Sequence, residues 1–499
     1  MRSSEPARRR ASIVLVLGLL ASSTPLASAS AQGVDPSLRL VRSRSNISLK
    51  TYRDRVPLDL GMWVASAGGD FEVHVGMEDY GDPLTAAQVD STTKAPLRTI
   101  PAEDLNGWQG FNDFLRVRVR NQAGRIVADK TLNFCPNSYD RERVDDSGDA
   151  VSTYPAQECR TYFPFTRGTV WGIDQGWATS AFSGVSYRAS SAALRPGEYT
   201  ATMRLAQHYV DLFDVAPGDE KRTVNLEVLA GGSGGSAHPD AFFAGESAEQ
   251  EAGESAEQET ASAGDAPIVT TPDPATLPDL AALPAWNIRV RNGARDFLSF
   301  AATPWNEGPS PLVVEGFRGS EDDEMDAFQY FYDSTGTAVG RAPVGTFDYD
   351  TRNGHHHWHF LQFARYRLLV ADDRTEVVRS RKQSFCIAPT DAVDLTVPGA
   401  SLDQYGLGFG SWCGHPTSIW VREVLQPGWG DTYFQSVAGQ AFDITNVPNG
   451  RYLLETSVNP GEDLFDGDAS NDVEVRRVRL SGPPDERRVE VSAWHGIED

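Results

Sequence analysis

The sequence predicts an all-β protein: two β-sandwich-like domains with long loops, related by tandem duplication and joined by an acidic disordered linker. Three observations carry this expectation. Short runs such as Phe114 to Val119 and Arg365 to Val370 alternate apolar and polar residues, the two-residue period of a half-buried strand. Gly, Pro, Asn and Asp interrupt these runs every 8–15 residues, and no stretch of 12 residues shows a convincing helical period. Between the two β-rich regions lies a segment of wholly different composition.

In chain order, residues 1–31 read as a secretory signal. Four Arg lie within residues 2–10, an apolar run follows from Ile13 to Leu20, and small residues lead to Ala29-Ser30-Ala31, where cleavage is expected. That run is too short to span a membrane, and no later stretch is longer or more apolar, so a secreted protein without a membrane span is expected. Residues 32–230 form the first β domain. Residues 231–283 form the linker, which opens on Gly231-Gly232-Ser233-Gly234-Gly235 and has ten acids and no Lys or Arg. It repeats AGESAEQE in tandem at 244–259 and closes on a Thr/Pro-rich piece, with too little apolar mass to fold. Residues 284–499 form the second β domain. A chain of 499 residues exceeds one ordinary core, which agrees with this division.

The formal charge is −24 and the pI near 4.8, which excludes the basic footprint of a nucleic-acid binder. Ten of those negative charges belong to the linker. Export favours disulfides, and the four Cys allow three pairings. The near pairs, Cys135–Cys159 and Cys386–Cys413, fall in separate halves and are the pairing expected.

The halves also resemble each other at an offset near 252 residues. Val127 to Cys135 lies over Val378 to Cys386, and Gly176-Trp177 over Gly428-Trp429. Pro196-Gly197-Glu198-Tyr199 lies over Asn449-Gly450-Arg451-Tyr452, and Asp211 to Asp214 over Asp463 to Asp466. Four matches in order, with a drift of two residues, point to duplication.

The chemistry concentrates at Gly354-His355-His356-His357-Trp358-His359-Phe360, where four of the nine His occupy five positions. On a strand, His355, His357 and His359 would share one face. Three neutral imidazoles on one face make a metal site that suits copper or zinc and leaves positions open for catalysis.

HHHWHF is followed by FARYRLL, RKQSFC, QPGWGDTY and GQAFDITNVPNGRYLLETSVNP. Over about 290–480 these motifs resemble, in order, those of the bacterial branch of the lysyl oxidase family. The resemblance implies copper bound by His355, His357 and His359. It also implies a lysine tyrosylquinone cofactor built from Lys382, two residues before Ser-Phe-Cys, and Tyr433, which ends Asp-Thr-Tyr. The implied enzyme is a protein-lysine 6-oxidase type of amine oxidase. It takes primary amines, including peptidyl lysine, and O2 to aldehyde, H2O2 and ammonia. Cross-linking needs a neutral Lys382, so its amine pKa must be lowered by burial near copper.

Asp431 is the first candidate for the general base, with Asp348, Asp350 and His415 as others. The acidic loop holding Asp466, Asp468 and Asn471 could hold calcium, although its spacing is incomplete. The run HPTSIWVREVLQ after Cys413 departs from the family pattern, which leaves substrate preference open. In the N-terminal half the His positions become Asp104, Asn106 and Trp108, Lys382 becomes Thr131 and Tyr433 becomes Ala181. That half is therefore expected to be a degenerate oxidase-like domain without metal or quinone residues. Two other functions fit the trio alone: a non-catalytic secreted metal-binding sandwich, and a zinc hydrolase. Neither needs Lys382 or Tyr433. Residues 284–499 contain eighteen Arg and one Lys, and that lysine is Lys382. Arginine stays protonated and could not replace it as a neutral amine.

Overall fold

The computed structural model describes residues 35–231 and 266–498, apart from 53, 158, 160, 184, 187–188, 320–322, 352–355, 381–383 and 405–407. The signal segment, most of the linker, His355 and Lys382 therefore lie outside the described residues. The rest is all-β. Among the described residues one short α-helix, Gln207–Leu212, interrupts the strands, and no helix is long and apolar enough to cross a membrane.

The same strand order appears three times in both halves. In the N-terminal half Ser37–Arg42, Met62–Ala67, Trp177–Ser180 and Arg141–Arg143 form one antiparallel sheet. Leu280–Ala282, Pro304–Asn306, Trp429–Gly430 and Asp391–Ala392 repeat that order in the C-terminal half. A second sheet runs Ile126–Phe134, Phe111–Asn121, Gly197–Leu205, Lys221–Leu229, and its counterpart runs Glu376–Arg379, Ala364–Val370, Gly450–Val458, Val473–Ser481. Only the fifth strand differs: Asn46–Lys50 joins in parallel, whereas Arg488–Val491 joins antiparallel. The third sheet runs Gly168–Ile173, Phe71–Gly76, Thr85–Val89, Pro96–Ile100. Its counterpart, Trp420–Leu425, Leu312–Phe317, Met325–Tyr332, Ala338–Asp350, continues into two further strands, His357–Leu361 and Ser384–Phe385. In the N-terminal half the corresponding stretch forms 3₁₀ turns, Ala102–Asp104 and Gly107–Gln109.

Three of the four sequence matches coincide with shared structure. Tyr199 donates its hydroxyl to the Arg195 carbonyl (2.8 Å) and Tyr452 to the Pro448 carbonyl (2.7 Å), a tyrosine corner in each half. Gly176 (φ +77°) and Gly428 (φ +85°) both turn through left-handed backbone before their tryptophans, which only Gly adopts cheaply. The disulfides are Cys135–Cys159 and Cys386–Cys413. The fourth match does not hold: Asp211 to Asp214 spans the end of the short helix, whereas Asp463 to Asp466 lies in a loop.

Each half buries its own apolar core between its sheets, around Phe111, Phe114 and Trp171 in one and Phe347, Phe360 and Phe385 in the other. The linker boundary moves. Residues 266–283 are structured and not part of the linker: Pro274–Thr276 is a 3₁₀ turn and Leu280–Ala282 pairs with Pro304–Asn306. Leu280 and Leu283 are buried, and these few apolar residues outweigh the Thr/Pro-rich composition around them.

Candidate functional site

The histidine strand is narrower than its spacing suggests. It begins at His357, because His356 takes a positive φ of +22° that ends the extended run. The two-residue alternation therefore holds for His357 and His359. Their ring centroids lie 4.7 Å apart on the face opposite the core side chains Trp358 and Phe360. Across the ladder, His357 faces Asp350 and His359 faces Asp348. His359 is buried, and its Nδ1 lies 3.4 Å from both the Asp350 carboxylate and Ser384 Oγ. A carboxylate beside Nδ1 orients the ring and directs Nε2 toward a metal.

Trp358 anchors this strand. Its backbone N–H donates to the Cys413 carbonyl (2.8 Å) and its indole N–H to the His415 carbonyl (3.0 Å). Arg318 lies over its ring at 4.8 Å and donates to the Ser418 and Pro416 carbonyls. His415 thus contributes a carbonyl, while its ring sits on the surface beside Thr417.

The next strand brings in the second motif. Phe385 pairs with Phe360 and Ser384 with Leu361, so the chain immediately after Lys382 lies against the histidine strand. The Phe385 ring packs edge-on to Tyr433 at 4.7 Å. Tyr433 in turn bridges Ala302, and its hydroxyl donates to Asp431 Oδ2 (2.5 Å) and the Cys386 carbonyl (2.8 Å). Burial, and then the adjacent Asp431 carboxylate, hold the phenol well above the usual tyrosine range. Asp431 is itself 2% exposed, so its carboxylate meets the phenol away from solvent. Asp348 is exposed, and Asp350 Oδ2 lies beside His359 Nδ1.

Some residues of this cluster escaped sequence reasoning. Glu423 is buried, accepts from Ile387 N–H (3.0 Å) and adds negative charge near Tyr433. Tyr366 faces Gln440 in a pocket closed by Phe300 and Phe385. Tyr366 and Ser384 lie inside the quoted motifs, and strand alternation from a known inward neighbour would have marked them. Cys386, Cys413 and Glu423 approach within 4.8 Å, but both sulfurs are consumed by the disulfide and cannot ligate as thiolates.

The lysyl oxidase family model matches residues 320–486, a span that contains every candidate quinone and histidine position. The chain carries a lysyl oxidase family domain. Protein-lysine 6-oxidase of Rattus norvegicus is 31% identical over 137 residues, covering 27% of this chain and 29% of the relative. The Sus scrofa protein of the same name is 31% identical over 137 residues and covered to 49%. Lysyl oxidase homolog 2 of Mus musculus is 26% identical over 150 residues, covering 28% of this chain and 17% of the relative. The chain thus spans less than half the length of these relatives.

Within the lysyl oxidase domain a second donor cluster lies on the acidic loop. Asn471 donates to Asp279 (3.0 Å) and Glu307 (2.7 Å), while Asp466 accepts from Leu280 N–H (2.9 Å). Asp472 is 6% exposed and abuts Asp466. Asp466 Oδ2, Asn471 Oδ1 and Asp472 Oδ1 are buried without a hydrogen-bond partner among the described residues. Burial and the charges of Asp466 and Asp279 push the Asp472 carboxyl up to about 8. Asp468, read from sequence as part of this loop's donor set, turns its carboxylate to Ser470 N–H at 2.9 Å.

Proposed function

We propose that the chain is a secreted copper- and quinone-dependent oxidase of primary amines, including peptidyl lysine, with O2 as co-substrate. One observation carries the reading: the histidine strand, the strand that follows Lys382 and the Tyr433 segment meet at Phe385. Copper fits the donor set, with His357 and His359 as ligands from one face and His355 completing the trio. Lys382 and Tyr433 supply the lysine tyrosylquinone, which when formed provides the electrophilic carbonyl and electron sink that amine oxidation needs. Asp350 orients His359. Asp431 accepts the Tyr433 hydroxyl hydrogen bond and is the leading general base. The acidity of residues 284–499 favours approach of cationic amines, an effect that weakens with salt.

Calcium fits the second cluster, where Asp279, Glu307, Asp466, Asn471 and Asp472 present the oxygen donors a hard cation requires. We assign 1–31 to a secretion signal and the N-terminal half to a degenerate copy of the oxidase domain. In that copy the histidine strand is replaced by turns, and Trp171 occupies the strand position of Glu423.

A redox-cycling quinone stain with a phenylhydrazine adduct tests the function. Lys382→Arg and Tyr433→Phe should each abolish the stain and amine-dependent peroxide while copper stays bound. Peroxide release persisting in either variant would refute the assignment. Copper binding without a stain in the wild type would favour a metal-binding sandwich, and hydrolysis with bound zinc would favour a hydrolase.

A further inference from the structure

The N-terminal half lacks the site but is built into the frame behind it. The sheet carrying Gly430, just before Asp431 and Tyr433, has Asp391–Ala392 as its outer strand. Beyond that strand the N-terminal half continues the pairing. Arg167 N–H donates to the Val393 carbonyl (2.7 Å), Leu395 N–H donates to the Gly168 carbonyl (3.0 Å), and Gly168 bridges Asp394. Val393 N–H in turn donates to Gly428 (2.9 Å).

A second contact reaches the same segment from its reverse face. Asp431 and Tyr433 point toward the site, so Thr432 and Phe434 point away from it. Phe434 packs on Trp286 at 5.7 Å, and Trp286 packs on Phe163 of the N-terminal half at 5.8 Å. The Trp286 indole N–H donates to Thr303 Oγ1 (3.3 Å), which is hydrogen-bonded to Thr432 Oγ1 (2.9 Å). Phe165 is fully buried in the same aromatic cluster. The Tyr433 segment is thus linked to Arg167–Gly168 through Val393–Leu395 at its edge, and to Phe163 and Phe165 through Trp286 from behind.

We propose that the N-terminal half is an intramolecular brace that sets the position of Tyr433. Gly168 and Phe163 are its positioning residues, and Trp286 of the C-terminal half relays the second contact. The inference rests on the reading of Tyr433 as the quinone precursor, but the bracing itself can be measured without it. Gly168 is the pivotal position, because a Cβ there would meet Asp394 Oδ1 at 2.0 Å and Thr396 Oγ1 at 2.7 Å.

The test uses the full chain carrying Gly168→Val or, at the other contact, Phe163→Ala. Hydrogen exchange at the amides of Asp431, Thr432 and Tyr433 should quicken at least ~10-fold in each variant, while Gly197–Leu205 keeps its protection and so reports an intact N-terminal half. Copper content should hold and quinone stain should fall by more than ~10-fold, a split that follows from misplacing one reacting side chain. Unchanged exchange at 431–433 in both variants, or full quinone yield despite fast exchange, would overturn the brace. If the wild type gives no quinone the amine-oxidase reading fails, and the exchange result still decides the brace.

Discussion

Removing the Asp350 carboxylate should weaken copper binding without touching a copper ligand. His359 is 1% exposed, and its Nδ1 lies 3.4 Å from Asp350 Oδ2. At an effective dielectric of about 20, full unit charges at that distance would interact by ~5 kcal/mol, which is a ceiling. A metal-bound imidazole carries only part of a unit charge on Nδ1–H, and Ser384 offers it a second contact at 3.4 Å. The net loss expected for Asp350→Ala is therefore ~1.4–2.8 kcal/mol, or about 10–100-fold in copper affinity, the usual cost of removing an orienting carboxylate. Competition against a calibrated chelator would measure it. Asp348→Ala is the control: Asp348 pairs with His359 across the ladder but is exposed, so a change under ~2-fold is expected. Equal losses in the two variants would mean that general negative charge matters, not the Asp350–His359 contact. No loss in Asp350→Ala would refute the orienting role.

The remaining predictions concern the second cluster and the disulfides. With no cation bound, Asp472 holds a proton up to about pH 8, far above an unfolded Asp. The native state then binds the extra proton, so stability should fall as pH rises from about 4 to 8. Calcium should reverse that loss, raise the melting temperature and release a proton near pH 7. A melting temperature indifferent to millimolar calcium would argue against the site. Each disulfide closes a loop of similar length, 24 and 27 residues, worth roughly 3.5 kcal/mol in either case. Replacing both Cys of either pair by Ser should cost similar stability. Only loss of Cys386–Cys413 should also lower quinone yield, because the carbonyls of those two residues hold Tyr433 and Trp358. Equal quinone yield in the two variants would refute that distinction.

Local features were the most legible ones. Strand periods, the repeated turns before Tyr199 and Tyr452, and the near-pair disulfides all depend on residues close in the chain. The strand that carries His357 and His359 was legible, whereas nothing in the sequence marks the positive φ at His356 just before it. Glu423 shares a strand face with the core residues Val421 and Leu425, so alternation marks an acid turned inward, but nothing in the sequence says that it meets Ile387 and Tyr433. The calcium-type cluster was half legible, since Asp466 and Asn471 share a loop while Asp279 and Glu307 come from the ends of distant strands.

By itself, the sequence determined the all-β class, the internal repeat and the motif set of a lysyl oxidase domain. These depend on side-chain period, turn chemistry and residue identity, which are properties of short segments. Only the tertiary structure decided that Phe385 is where the histidine strand meets Tyr433, that Asp350 lies beside His359, and that the N-terminal half reaches the Tyr433 segment through Val393–Leu395 and through Trp286. Those relations join residues far apart in the chain. Strand pairing sets them, and one residue of register would turn every side chain to the opposite face.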